Sequence, residues 1–230
     1  MSKNSGGLSA SDFVHLHNHT HHSLLDGLTK IPQMVARVKE LGMESVAITD
    51  HGTLSGAIEF YKEAKANDIN PIIGMETYVA PRSHLDKDPA KDKSRYHLII
   101  LAMNNTGYEN LMRLSSIANL DGFYHKPRID HDLLEKYNEG LIVLSGCIGG
   151  EVGENLRYDQ DKDAEEAAAW YQSVFGDRYY LEIQDHHHSW DEQKRVNEKT
   201  MKLAEKLGLK VVVTSDAHYP THDDQEAHEV

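Results

Sequence analysis

His15, His17 and His19 stand two residues apart in Phe13-Val14-His15-Leu16-His17-Asn18-His19-Thr20. In an extended strand, residues i, i+2 and i+4 share one face, so this spacing aims several imidazoles at one point. Aspartate and histidine recur together at Asp50-His51 and at Asp216-Ala217-His218. Imidazole nitrogen and carboxylate oxygen are the usual donors to zinc, manganese and iron. The chemistry these residues imply is metal-dependent hydrolysis.

The elements that must position them alternate. Apolar β-type runs fall at 13–17, 45–49, 71–79, 96–103, 141–145, 179–184 and 210–214. Between them, Ile31, Met34, Val35, Val38 and Leu41 recur at helical spacing before a Gly42 stop, and Leu54, Ala57, Ile58, Tyr61 and Ala64 mark a second helix. Further helices are expected at 108–119, 164–175 and 190–207, and an exposed polar loop at 81–95. The alternation predicts an α/β fold with a mostly parallel sheet, better suited to a small or distorted (β/α) barrel than to an open sheet. In such barrels, reactive side chains gather at the C-terminal ends of the strands. His17, His19, Asp50, His51, Cys147, Asp216 and His218 all follow that rule, whereas Glu76 lies inside its run and His97 near the start of another.

Composition narrows the partners. The chain has 230 residues, with 24 Lys plus Arg against 37 Asp plus Glu and a formal charge of −13, which argues against tight autonomous binding of nucleic acid. A polyanionic substrate is still compatible with a site where divalent ions reverse the local potential. No apolar run approaches the roughly 18 residues that cross a membrane. The polar start lacks a signal-peptide core, and residues 1–12 are expected to be a flexible segment before a domain at 13–230. Cys147 is the single cysteine, which suits a reducing, cytoplasmic compartment.

His17-Asn18-His19-Thr20, Ser23-Leu24-Leu25-Asp26-Gly27, Thr49-Asp50-His51-Gly52, Gly74-Met75-Glu76, Tyr96-His97-Leu98, Ser145-Gly146-Cys147 and Ser215-Asp216-Ala217-His218-Tyr219 occur in this order. Together they resemble the PHP (polymerase and histidinol phosphatase) domain from about Phe13 to the chain end. With Phe123-Tyr124-His125-Lys126-Pro127-Arg128-Ile129-Asp130, they are most similar to the copies at the N-terminus of bacterial C-family replicative polymerase alpha subunits. The resemblance implies a distorted seven-stranded (β/α) barrel with a metal centre at the C-terminal strand ends. It implies one ion at His17, His19, Glu76 and Asp216, a second at Glu76, His97 and Cys147, and a third at Asp26, His51 and His218. All nine positions hold ligand-capable residues here. Two to three divalent ions so held, whether zinc, manganese or iron, would activate water and neutralise phosphate oxygens.

Other residues carry competing readings. His15 fits an orienting or core histidine better than a ligand, and Asp50 either orients a ligand or caps a helix before Leu54. Asp26 and Cys147, taken alone, read as a turn residue and an inert thiol; the family register makes them ligands. Lys126 and Arg128 could clamp a substrate phosphate or form a solvated loop pair. His186-His187-His188 reads as a solvated tract that picks up metal adventitiously, and His21-His22 stands where the polymerase pattern has an acidic residue and an aromatic one.

The resemblance thus implies phosphodiester hydrolysis, foremost 3′→5′ exonuclease proofreading, with His17, His19, Glu76, Asp216 and His218 at its catalytic heart. Its implied partners are a DNA 3′ end and the remainder of a polymerase alpha subunit. A phosphomonoesterase similar to histidinol phosphatases, and a metal-stabilised structural domain, are the alternatives.

Overall fold

The computed structural model describes residues 9–185 and 191–228. Apolar runs rich in Val, Ile and Leu become β1 (Ser45–Ile48), β2 (Asn70–Val79), β3 (Tyr96–Ala102), β4 (Arg128–Ile129), β5 (Leu141–Leu144), β6 (Tyr179–Gln184) and β7 (Lys210–Thr214). Helices follow between them: α1 (Ile31–Glu40), α2 (Ala57–Ala66), α3 (Asn105–Leu120), α4 (His131–Lys136), α5 (Glu151–Arg157), α6 (Asp161–Phe175), α7 (Asp191–Leu207) and α8 (Gln225–His228). Among the described residues, no helix is long and apolar enough to cross a membrane. Ala10–Asp12 form a short 3-10 turn held by Ser9 and Asp12, within the stretch expected to be flexible.

The strands make one sheet in the order β1-β2-β3-β5-β6-β7, with the two-residue β4 added to β2. The central strands are buried on both faces, and β3 shows the period-2 consequence. Leu98 and Ile100 enter the large core beneath α3 to α7, while Ile99 and Leu101 join Ala47 and Leu144 in a small inner cluster. Leu16, Ile72, Ile142, Tyr180 and Val212 pack onto that inner cluster, so side chains from β1 round to β7 meet and the sheet is curled. The apolar stripe of α1 (Ile31, Met34, Val35, Val38) packs with Phe60 and Ala64 of α2 over β1.

The sheet is mostly parallel, as the alternation predicts, but β3 runs antiparallel to both β2 and β5. A parallel return needs a crossover of a dozen or more residues, usually a helix, whereas the 80–95 connection has no helix and leads back antiparallel. One expectation needs correction: 13–17 is not a strand. The segment is extended but makes only isolated bridges, His15 to Val46 and Asn18 to Ala217. Its two edges serve different partners. Ala47 N donates to His15 O (2.9 Å) and Thr49 N to Asn18 O (3.0 Å), while His19 N donates to Ala217 O (2.8 Å) and Ala217 N to His17 O (3.3 Å). The segment thereby links the β1 edge of the sheet to the turn after β7.

Helices α4 and α5 and strand β4 are too short for periodicity to betray them. α4 is set by Asp130, whose carboxylate caps it by accepting from Leu133 N. The helix expected from Tyr108 begins earlier, at Asn105, because the Asn104 side chain accepts from Gly107 N.

Candidate metal centre

The histidine segment, the strand ends and the reversed β3 converge on one buried point. His17 Nε2 lies 3.2 Å from His19 Nε2, 3.4 Å from Glu76 Oε2 and 3.1 Å from Asp216 Oδ1. His19 Nε2 lies 3.0 Å from the same Glu76 oxygen and 3.2 Å from the same Asp216 oxygen. Tetrahedral ligation at zinc–nitrogen distances sets donor atoms about 3.3 Å apart, so these spacings match the edges of one coordination sphere.

The two residues that fitted the strand-end rule least are explained by the reach of β2 past β1 and by the reversal of β3. Residues 70–73 of β2 pair with β1, and residues 74–79 pair with β3. Glu76 is therefore inside its own strand yet beyond Ile48, the last residue of β1, where His51 bridges to it. Because β3 runs backwards, its first residues lie where the parallel strands end, and His97 stands opposite Tyr78.

Around the central four, the remaining side chains fall into two adjoining groups. His97 Nδ1 is 2.7 Å from Glu76 Oε1, with Cys147 Sγ 3.8 Å from that nitrogen. Gly146 has φ +78 and stands so close to β3 that a Cβ would lie 2.6 Å from His97 O, which is why the Cys147 turn demands glycine there. On the other side, Asp26 Oδ2 lies 2.9 Å from His51 Nε2 and 3.0 Å from His218 Nε2. His51 Nδ1 faces Glu76 Oε2 at 2.9 Å, which ties this group to the first.

These contacts are close without being satisfied. Glu76 Oε2, Asp216 Oδ1 and His51 Nδ1 are buried and lack a hydrogen-bond partner of proper geometry among the described residues. Each orphaned atom costs on the order of 1–3 kcal/mol. The atoms point at shared centres rather than at one another, and divalent ions at those centres would satisfy all of them. The residues present fit such ions.

Without a cation the cluster holds protons instead. Burial alone would lower His17, but Asp216, Glu182 and Glu76 raise its pKa well above the ordinary imidazole value. Burial opposes charge on His51 as well, yet the close carboxylates of Asp26 and Glu76 lift it to about 9. Asp26, bonded by His218 and His51, sits well below the usual carboxylate range. Burial, Glu76 and Asp216 push the Cys147 thiol well up, so it ionises only beside a cation. Ion uptake at the Asp26–His51–His218 group must therefore displace protons at neutral pH, and affinity there is expected to strengthen as pH rises toward about 9. Calorimetry in two buffers of different ionisation enthalpy counts the protons released; a heat independent of buffer contradicts the prediction.

The donors are aimed by a layer that the sequence only partly discloses. Glu182 Oε1 lies 2.8 Å from His17 Nδ1, so it accepts that ring's proton and leaves Nε2 facing the centre. Gln184 Nε2 donates to the same oxygen at 3.1 Å, and the Thr214 hydroxyl donates to it as well. Sequence reasoning missed Glu182; its signal is a lone acid inside the apolar strand Tyr179–Gln184, with Gln184 on the same face. Ser23 Oγ is 2.9 Å from His19 Nδ1 and donates to Asp50 Oδ1 (2.9 Å), which also accepts from Thr20 N (2.6 Å). Asp50 is thus an orienting group and not a helix cap. Replacing Glu182 with Gln is expected to weaken ion binding about 10–100-fold with little change in fold, checked by competition against a chromophoric chelator.

The other candidates separate. His15 Nδ1 contacts Ser215 Oγ at 3.1 Å and takes no part in the donor groups. Lys126 Nζ lies 5.6 Å from the centre of the Tyr78 ring, which itself stacks on His51 at 5.5 Å, so Lys126 sits beside the centre. Arg95, unnoticed in the sequence, lies 5.7 Å from the centre of the same ring. Arg128 requires correction as a phosphate clamp: it is fully buried, and its guanidinium donates to the carbonyls of Gly122, Asp92, His84 and Asp86. It holds the 80–95 loop. His186, His187 and His188 lie outside the described residues.

A curled α/β sheet with this set of histidines and acids at its strand ends defines a class, and a PHP domain family model matches residues 15–186. The chain belongs to the PHP domain family. Within it, the chain is similar to DNA polymerase III subunit alpha of Borreliella burgdorferi (46% identity over 96% of this chain) and of Thermus aquaticus (47% over 95%). It spans only 19% and 18% of those curated relatives. Its fold is shared by an amidohydrolase from Chromobacterium violaceum (TM-score 0.61, 15% identity, covering 91% of this chain and 89% of that one). A two-domain protein from Bacteroides vulgatus, containing a predicted PHP-like metal-dependent phosphoesterase, also shares it (TM-score 0.54, 15% identity, 93% of this chain and 55% of that one).

Proposed function

We propose that this domain is a metal-dependent phosphodiesterase that trims a DNA 3′ end in the 3′→5′ direction, as the proofreading element of a replicative polymerase. The observation that carries the reading is the convergence of donor atoms on Glu76 at the spacing of coordination spheres, with Glu76 Oε2, His51 Nδ1 and Asp216 Oδ1 lacking hydrogen bonds among the described residues. His17, His19, Glu76 and Asp216 would hold one ion, Glu76, His97 and Cys147 a second, and Asp26, His51 and His218 a third. Such ions supply Lewis-acid chemistry, activating water near neutral pH and neutralising charge on phosphate. The thiol favours zinc; the carboxylates also accept manganese or iron.

The chain's own groups do the positioning. Glu182 fixes the tautomer of His17, and Ser23 with Asp50 fixes His19. His218 donates from Nδ1 to Asp216 O (2.8 Å), which turns Nε2 toward Asp26. Lys126 and Arg95, flanking Tyr78 beside His51, offer cations to the phosphates of an entering strand. We read the curled sheet and its linking segment as a distorted seven-stranded barrel whose mouth is this centre. The net charge of −13 makes delivery of DNA by the rest of a polymerase alpha subunit part of the proposal, as the relatives' name suggests. That role would place the domain in the cytoplasm.

The deciding experiment is elemental analysis followed, on the same sample, by degradation of a 3′-terminated labelled primer with zinc, manganese or magnesium. Bound ions with stepwise shortening support the proposal. Phosphate release from small esters without shortening would identify a phosphomonoesterase. Loss of thermal stability on chelation, with neither activity, would identify a structural centre.

A further inference from the structure

We propose that His21, His22 and Glu59 form a separate divalent-cation site, one that takes a borderline transition ion such as zinc or nickel. One ligand atom from each of the three side chains lies within 4.8 Å of the others, and none of the three belongs to the donor groups around Glu76 and Asp26. Two imidazoles and one carboxylate are a recurrent donor set for these ions, leaving further positions to water.

Local structure prepares the set. His21 N donates to Thr29 O (2.9 Å) and His22 N to Thr20 Oγ1 (3.2 Å), which fixes the backbone of both residues. The two rings lie 4.3 Å apart. Gly56, just before α2, leaves room for His22: a Cβ there would stand 2.8 Å from the ring. Ser55 Oγ lies 3.3 Å from His22 Nδ1 and can accept its proton, leaving the Nε2 lone pair free. That Nε2 is buried and lacks a hydrogen-bond partner among the described residues, yet lies 3.6 Å from Glu59 Oε2. The separation is too long for a hydrogen bond and close to a ligand–ligand edge. Glu59 comes from the first turn of α2. An ion here would therefore tie the 20–29 loop, which carries Asp26, to that helix.

The test uses the whole chain with His186→Ala, His187→Ala and His188→Ala throughout, so that this tract cannot compete. With the protein first loaded with zinc and weakly held zinc then removed by dialysis against a weak chelator, nickel uptake is followed by calorimetry and the bound ions are counted by elemental analysis. The parent protein is expected to take up one nickel ion that His22→Ala and Glu59→Gln do not, while all three keep their zinc. Glu59 is exposed, so Glu59→Gln leaves the fold intact should His22→Ala disturb it. An extra ion retained in both variants, or no extra ion in the parent, overturns the proposal.

Discussion

Glu76→Ala is expected to strip the centre of its ions and to lower any phosphoesterase activity at least about a thousandfold, or roughly 4 kcal/mol of transition-state stabilisation. The effect is large because both carboxylate oxygens are committed: Oε2 stands between His17, His19 and His51, and Oε1 faces His97. Among the described residues, no other side chain touches all of these groups. Losing one outer partner costs 10–100-fold in affinity, so losing the shared ligand should cost more than about 100-fold. The backbone of β2 is untouched, because its ladder to β3 is independent of the side chain. Far-ultraviolet circular dichroism should therefore match the parent protein while elemental analysis shows the ions gone. Full metal content in Glu76→Ala would refute this role.

Arg128→Met is expected to do the reverse, destabilising the fold by about 3 kcal/mol or more while metal content survives. The guanidinium is buried with its donors on the carbonyls of Gly122, Asp92, His84 and Asp86. Methionine fills the space but leaves those acceptors unmet. The loop that carries Asp92, His84 and Asp86 is also clamped by the Arg82–Asp92 pair, with contacts of 2.9 and 2.8 Å, and by Asp130, which accepts from His84 N. Denaturant unfolding should show the loss. Unchanged stability with weakened primer degradation would return Arg128 to the substrate.

What the sequence disclosed and what it hid follow from physical causes. His17, His19, His51 and His218 were legible because each stands where an apolar run breaks, and a charged or polar group at a strand end has a short list of uses. Glu76 looked misplaced because β2 runs on past the end of β1, and His97 because the direction of β3 was unread; the absence of helical spacing across 80–95 was the available clue to that direction. Glu182 was hidden because a single acid in a short strand carries no spacing pattern. Its partners Thr214 and His17 are remote in sequence, and only folding brings them to it. Arg128 misled for a related reason. In a string of residues, a cation meant for phosphate and one meant for buried carbonyls look alike.

The segment that links the two ends of the sheet also sets an order of events in time. Asp26 and His218 are separated by 192 residues, and His15 and Ser215 by 200. Contacts of such span are among the last to form, because the chain must surrender its loop entropy before they reward it. During synthesis, the first residues of the centre must wait for nearly the whole domain to emerge before they meet their partners. If His17, His19 and Asp216 hold an ion as proposed, its capture would come only once folding is nearly complete. In hydrogen exchange, the amides of His19 and Ala217 should gain protection together, and later than those of β2 and β3.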